Sequence, residues 1–87
     1  MKITKKNGNV VLFDDEKVAR SILNANAAIA PETLSESEAA AIADEVFLRL
    51  AAATEIITTQ DIRDCVNAVL QEKGLLLTAR QYMAYKK

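Results

Sequence analysis

Ile3-Thr4-Lys5-Lys6-Asn7-Gly8-Asn9-Val10-Val11-Leu12-Phe13-Asp14-Asp15-Glu16-Lys17-Val18 contains two changes of chain direction in sixteen residues, and their chemistry decides the fold. Asn7-Gly8 lies between a segment Ile3 to Lys6 and a second, Asn9 to Phe13, that holds the β-favouring run Val10-Val11-Leu12-Phe13. Asn-Gly favours tight hairpin turns because both residues tolerate positive φ, so the chain is expected to open with a β-hairpin. Asp14 then offers a side-chain oxygen to cap a helix, and Asp15 and Glu16 put negative charge at the positive end of its dipole. A lone hairpin is marginally stable and must lay one face on something else, which the rest of the chain has to supply.

Working outward, Val18, Ile22, Ala25 and Ile29 recur at spacings of four, three and four, one stripe of a first helix that ends before Pro31. Ser35 with Glu38 reads as a capping box and Leu34 as a staple residue. The second helix so started carries Ile42, Val46 and Leu50 on its inner face, turns Asp44, Glu45 and Arg49 to solvent, and runs to about Ala53. Glu55-Ile56-Ile57-Thr58 is short and β-branched, fitting either a third strand or a buried connector. Thr58 and Asp61 form a second cap pair, opening a helix whose inner face is Ile62, Val66 and Val69 with Cys65 and Leu70 beside it. Lys73-Gly74 stops that helix. Leu75 to Lys87 makes a fourth, with Ala79, Tyr82, Met83 and Lys86 at helical spacing.

The expectation is an α+β domain, a small sheet with four helices. With 87 residues the chain is long enough for one core, and 51% apolar with 26% charged residues is an ordinary globular composition. A net charge of −1 argues against direct nucleic-acid binding through a general excess of cations. No signal peptide or membrane-spanning stretch is legible, which gives a cytoplasmic expectation. Without histidine, and with the single Cys65, the usual zinc sets and Ser-His-Asp or Cys-His arrangements are not available, and Cys65 reads as a core thiol. Gly8 and Gly74, the only glycines, provide neither GxGxxG nor a Walker loop. No catalytic equipment can be named.

Lys5-Lys6-Asn7-Gly8, then after four residues Phe13-Asp14-Asp15-Glu16-Lys17-Val18 and Ile22, resembles the opening signature of the ATP-cone family, commonly Lys-Arg-x-Gly with Phe-Asp and Lys-Ile. The resemblance continues through Ile42-Ala43-x-x-Val46 and Leu50, Ile57-Thr58-Thr59-Gln60-Asp61-Ile62 and Val66, and ends in Ala79-x-x-Tyr82-x-x-Tyr85-Lys86. It covers nearly all of the chain. It implies a three-stranded sheet over a four-helix bundle, and an allosteric site for ATP or dATP, with Mg2+, whose occupancy controls ribonucleotide reductase activity through subunit assembly. The class of reductase is open, the anaerobic type being one it fits. Residues 1–87 would then be a single regulatory domain of a larger reductase, partnered by the remainder of that enzyme and its subunits, with nucleotide-dependent homo-oligomerisation, no protein-bound metal site and no membrane.

Residue by residue, the resemblance implies that Lys5, Lys6 and Lys17 neutralise phosphates, that Ile3 and Val11 flank the adenine from the sheet, and that Thr59 and Arg63 line the pocket. Asp14 matches a position that is Asp or Asn in the family, serving as helix cap, ligand contact or both. Lys86 stands where the family usually has Arg, keeping the charge without the planar fork. Val11 departs from members that carry an acidic residue there. From the residues alone, the lysines also read as solvated surface, Ile3 and Val11 as core, and Tyr82, Met83 and Tyr85 as packing. Two other functions follow from related proteins: the effector-binding part of a transcriptional repressor, which in that type follows a cysteine-rich zinc ribbon not seen before Met1, and a degenerate cone that only docks subunits.

Overall fold

In the computed structural model, which describes residues 1–5, 7–29, 31–52 and 56–84, the chain orders itself as β1 (Lys2–Thr4), β2 (Val10–Leu12), α1 (Asp15–Ala27), α2 (Glu36–Ala51), β3 (Ile57–Thr58), α3 (Thr59–Glu72) and α4 (Leu76–Ala84). The fold is α+β: a three-stranded mixed sheet, in the order β2-β1-β3, with four helices.

β1 and β2 pair antiparallel, Ile3 opposite Val11, as the hairpin reading expects. The turn differs from the one Asn7-Gly8 suggests. Gly8 N–H donates to the Lys5 carbonyl at 2.9 Å, Lys5 N–H to the Asn9 carbonyl at 2.8 Å, and Asn9 N–H to Asn7 Oδ1 at 3.0 Å. Gly8 has φ of +87°, while Asn7 is not in the positive-φ region. A two-residue type I′ turn needs positive φ at both central residues; here the loop is longer, and among its described residues glycine alone takes the left-handed place.

Thr58 caps α3 from the end of β3, so the strand passes directly into the helix. Thr58 Oγ1 accepts from Asp61 N–H at 3.2 Å, and Asp61 Oδ2 accepts from Thr58 N–H at 2.8 Å. Of the two options for residues 55–58, the strand is realised at Ile57–Thr58, parallel to β1 with Ile3 opposite Ile57. Glu55 lies outside the described residues. Alternation does the sorting: Ile57 is buried and Ile56 is exposed.

Caps fix the helix starts as the sequence suggests. Asp14 Oδ1 accepts from Lys17 N–H at 3.2 Å, and Ser35 and Glu38 complete their capping box with bonds of 3.1 and 2.8 Å. α1 stops at Ala27, so Ile29 falls past the helix, its N–H turned back to the Asn26 carbonyl at 2.8 Å. α2 closes at Ala51 rather than near Ala53, which is not among the described residues. Arg49 on α2 holds Glu45 and, across on α3, Glu72, both at 2.6 Å.

α3 ends in a Schellman motif: Leu75 N–H donates to the Leu70 carbonyl at 2.9 Å, Gly74 N–H to that of Gln71 at 3.0 Å, and Gly74 has φ of +80°. A Cβ at Gly74 meets nothing within 4 Å, so a substitution there is opposed by backbone conformation alone. Gly74→Ala is expected to cost about 1 kcal/mol in urea unfolding, the left-handed penalty for an L-residue.

The start of α4 has no visible cap in the neighbouring sequence, because its cap comes from far away. Glu32, in the α1–α2 connection, accepts Leu77 N–H at 2.9 Å through one oxygen, and Thr78 N–H and hydroxyl, each at 2.7 Å, through the other. Burial works against the Glu32 carboxylate, but these donors outweigh it and hold its pKa below the ordinary value. Asn26 Nδ2 donates to Thr78 Oγ1 at 3.0 Å, so the end of α1 lies at the start of α4.

Ile3, Ile22, Ile42, Val46, Leu50, Ile57, Val66, Val69, Leu70 and Ala79 form the core, which joins the sheet to all four helices. Val18, Ile62 and Tyr82 pack against its edge. Cys65 is half-buried, with Sγ 4.0 Å from the Val46 carbonyl oxygen, and burial pushes its thiol pKa up, the reverse of what a reactive thiolate needs.

Candidate functional site

β2 is the last strand before α1, and between the hairpin, α1, α3 and α4 the chain leaves a cavity of about 1010 Å³. Its wall includes every described residue that the sequence marks for the site: Ile3, Lys5, Val11, Asp14, Lys17, Thr59 and Arg63. Lys6 and Lys86, marked with them, and the packing residue Tyr85 lie outside the described residues.

Among the described residues, three cations reach this cavity from three elements. Lys5 comes from the hairpin loop, Lys17 from the first turn of α1, and Arg63 from the second turn of α3. Lys5 and Lys17 are exposed, which leaves their ammonium groups hydrated and available to an anion. Arg63 is partly buried, and its Nη2 donates to the Met83 carbonyl at 2.9 Å, so the guanidinium is held against the last turn of α4. The arrangement can bind a polyanion, because cations with different backbones surround one space and the N-terminus of α1 adds its dipole.

Apolar wall lies beside the charge. Ile3 is buried in the core and contributes only to the cavity floor, whereas Val11 is 41% exposed and faces the open space. The core reading therefore holds for Ile3 and fails for Val11. Phe13, Val18, Ile62 and Tyr82 extend this wall, and Phe13 is backed by Phe47 of α2, ring centroids 5.5 Å apart at a tilt of 52°. Burial raises the Tyr82 phenol above its ordinary pKa, with the nearby Arg63 charge opposing, so the ring sits there as a neutral surface. Tyr82 is both a packing residue and cavity wall. Asp14 likewise does two things: it caps α1 and lies on the wall.

Sequence reasoning does not find the lower wall, where Ser21 and Asn24 of α1 and Gln81 of α4 line the same cavity. Lys17, Ser21 and Asn24 follow one another at i, i+4 and i+7, a polar stripe that is visible in the sequence but looks there like any solvated helix face.

Asp15, beside this wall, is the most perturbed carboxyl among those with a resolved shift. Burial, a hydrogen bond with the Asp44 side chain and the charges of Asp44 and Asp14 push its pKa up to about 6. Unfolded, it titrates near 3.9, so the folded chain keeps a proton that the unfolded chain has released between these values. The stability held by the protonated pair is whole below about pH 4 and is lost as pH rises through about 6. Asp15→Asn is expected to be more stable than wild type at about pH 7.5 by on the order of 1 kcal/mol, after discount for partial exposure, with the gap closing towards pH 4. Urea unfolding at the two pH values measures it.

Among the described residues no group of three or more Cys, Asp or Glu is placed to hold a metal ion, and no helix is long and apolar enough to cross a membrane. A small α+β domain whose sheet and helices enclose a cation-lined, partly apolar cavity has the chemistry to take a ligand with an anionic part and an apolar part. The family model of the ATP cone domain matches residues 1–87, the whole chain, and the protein belongs to the ATP-cone family. Comparison with curated proteins gives no match. Membership carries a nucleotide-binding regulatory role, with ATP or dATP as allosteric ligand, and no catalytic role of its own.

Proposed function

We propose that this domain is the allosteric ATP/dATP site of a ribonucleotide reductase, and that nucleotide occupancy controls the enzyme by changing how its subunits assemble. The observation that carries the reading is the convergence of Lys5, Lys17 and Arg63 on one cavity that also offers the apolar Val11, Val18 and Tyr82. A nucleoside triphosphate needs both: cations for its phosphates and a slot for its base.

Lys5 and Lys17 bind the triphosphate, Lys6 and Lys86 add charge to it, and Arg63 and Thr59 orient it from the start of α3. Val11 and the floor at Ile3 flank the adenine, and Asp14 keeps the first turn of α1 aimed at the nucleotide. No residue is assigned to Mg2+, which would come with the triphosphate and offset part of its charge. Residues 1–87 act as one regulatory unit of a larger cytoplasmic enzyme whose remaining parts perform the reduction. A site that switches assembly needs surfaces that respond to occupancy, and the exposed apolar residues of β2, Val10 and Leu12, border the cavity's Val11.

Ligand that binds the folded state alone raises its melting temperature by mass action, corresponding to about 2.7 kcal/mol at a hundredfold excess over Kd. ATP and dATP are each expected to raise the melting temperature. No response to either overturns the proposal. Light scattering with and without dATP tests assembly: a mass that ignores the nucleotide contradicts that part.

A further inference from the structure

The cavity continues past its cations. Along α1 the step from Lys17 to Asn24 covers about 10 Å at the helical rise of ~1.5 Å per residue, and both residues are on the wall. Gln81 of α4 lines the same cavity. Two primary carboxamides from different helices therefore share a space with the phosphate-binding lysines, with Ser21 between Lys17 and Asn24 along α1 and the apolar Val18 and Ala25 beside them on the wall.

These amides have no structural work to do. Neither Asn24 nor Gln81 hydrogen-bonds with its side chain among the described residues, and both are exposed. The other polar wall residues differ. Ser21 donates its hydroxyl to the Lys17 carbonyl at 2.9 Å, Arg63 is bonded to Met83, and Asp14 is spent on the cap of α1. At Val11, the side chain that faces the cavity from the sheet can neither donate nor accept. Among the described wall residues, with Thr59 assigned to the phosphates above, the carboxamides are the groups that place a donor and an acceptor side by side for a base.

We infer that Asn24 and Gln81 read the nucleobase edge of the bound nucleotide. This rests on the nucleotide reading above and adds to it the orientation of the ligand: phosphates at Lys5 and Lys17, base edge towards the α1–α4 wall. A carboxamide presents an N–H donor and a carbonyl acceptor side by side, which suits adenine, whose edge offers an amino donor next to a ring-nitrogen acceptor. Aspartate or glutamate in the same place only accepts, which suits guanine's adjacent ring and amino N–H donors.

The test is titration calorimetry of the full chain with ATP, GTP and inorganic tripolyphosphate. Asn24→Leu with Gln81→Leu is expected to lower the ratio of ATP to tripolyphosphate affinity about tenfold, with tripolyphosphate binding and the ligand-free melting temperature unchanged. Asn24→Asp with Gln81→Glu is expected to shift preference from ATP towards GTP, which contacts to ribose alone would not do. Ratios unchanged in both variants overturn the inference. Wild type that binds tripolyphosphate as tightly as ATP overturns it while leaving the phosphate site standing, and wild type that binds neither overturns the nucleotide reading itself.

Discussion

Lys5→Ala combined with Lys17→Ala is expected to weaken ATP binding by about a hundredfold or more, without lowering the melting temperature of the ligand-free protein. A hydrogen bond to a charged group contributes about 1.5–3 kcal/mol, and removal of two such bonds exceeds the ~2.7 kcal/mol that a hundredfold represents. The fold depends little on either side chain. Both lysines are exposed, neither takes part in an ion pair among the described residues, and a cation in the first turn of α1 opposes the helix dipole. Calorimetry at two salt concentrations measures the effect and its cause. Wild-type affinity should fall as salt rises, and that of the double variant should fall less. Equal affinities for variant and wild type would place the phosphates elsewhere.

Ile22→Ala is expected to bring the second large effect, on stability. Ile22 is fully buried, at 0% exposure, in the middle of the helix that carries Lys17, Ser21 and Asn24. Truncation of such a residue costs about 2–5 kcal/mol, because the transfer energy is lost and a cavity remains. Small domains hold about 0.05–0.15 kcal/mol per residue, so the loss is a large share of the whole. The melting temperature should fall by about 10 °C or more. Saturating ATP should restore part of it by mass action, since the ligand binds α1 on the face away from the core. A variant that melts as wild type does would mean that α1 is not anchored through Ile22.

Local chemistry makes much of the fold legible in the sequence. The caps at Asp14, Ser35 and Thr58 and the Gly74 stop each depend on residues within a few positions, and each forms as its neighbours dictate. Pairings that depend on distant residues are harder to read. The parallel register of Ile57 with Ile3, and the capping of α4 by Glu32, join chain segments more than forty residues apart, and no local pattern encodes them. The site divides in the same way. Its charged and sheet-borne residues are recognisable through the family's ordered signature, and the described ones do line one cavity. Asn24 and Gln81 resemble any exposed polar residue until the end of α1 is placed at the start of α4 through Asn26 and Thr78.

An amide chemical-shift titration of the full chain with ATP tests the nucleotide site most directly, since it reports where the ligand sits. Shifts are expected at Lys5, Val11, Lys17, Thr59 and Arg63, with Asn24 and Gln81 moving along with them and the Arg49–Glu72 face of α2 and α3 unchanged. Shifts confined to that outer face, or none at saturating ATP, would contradict a nucleotide bound between the hairpin and the helices.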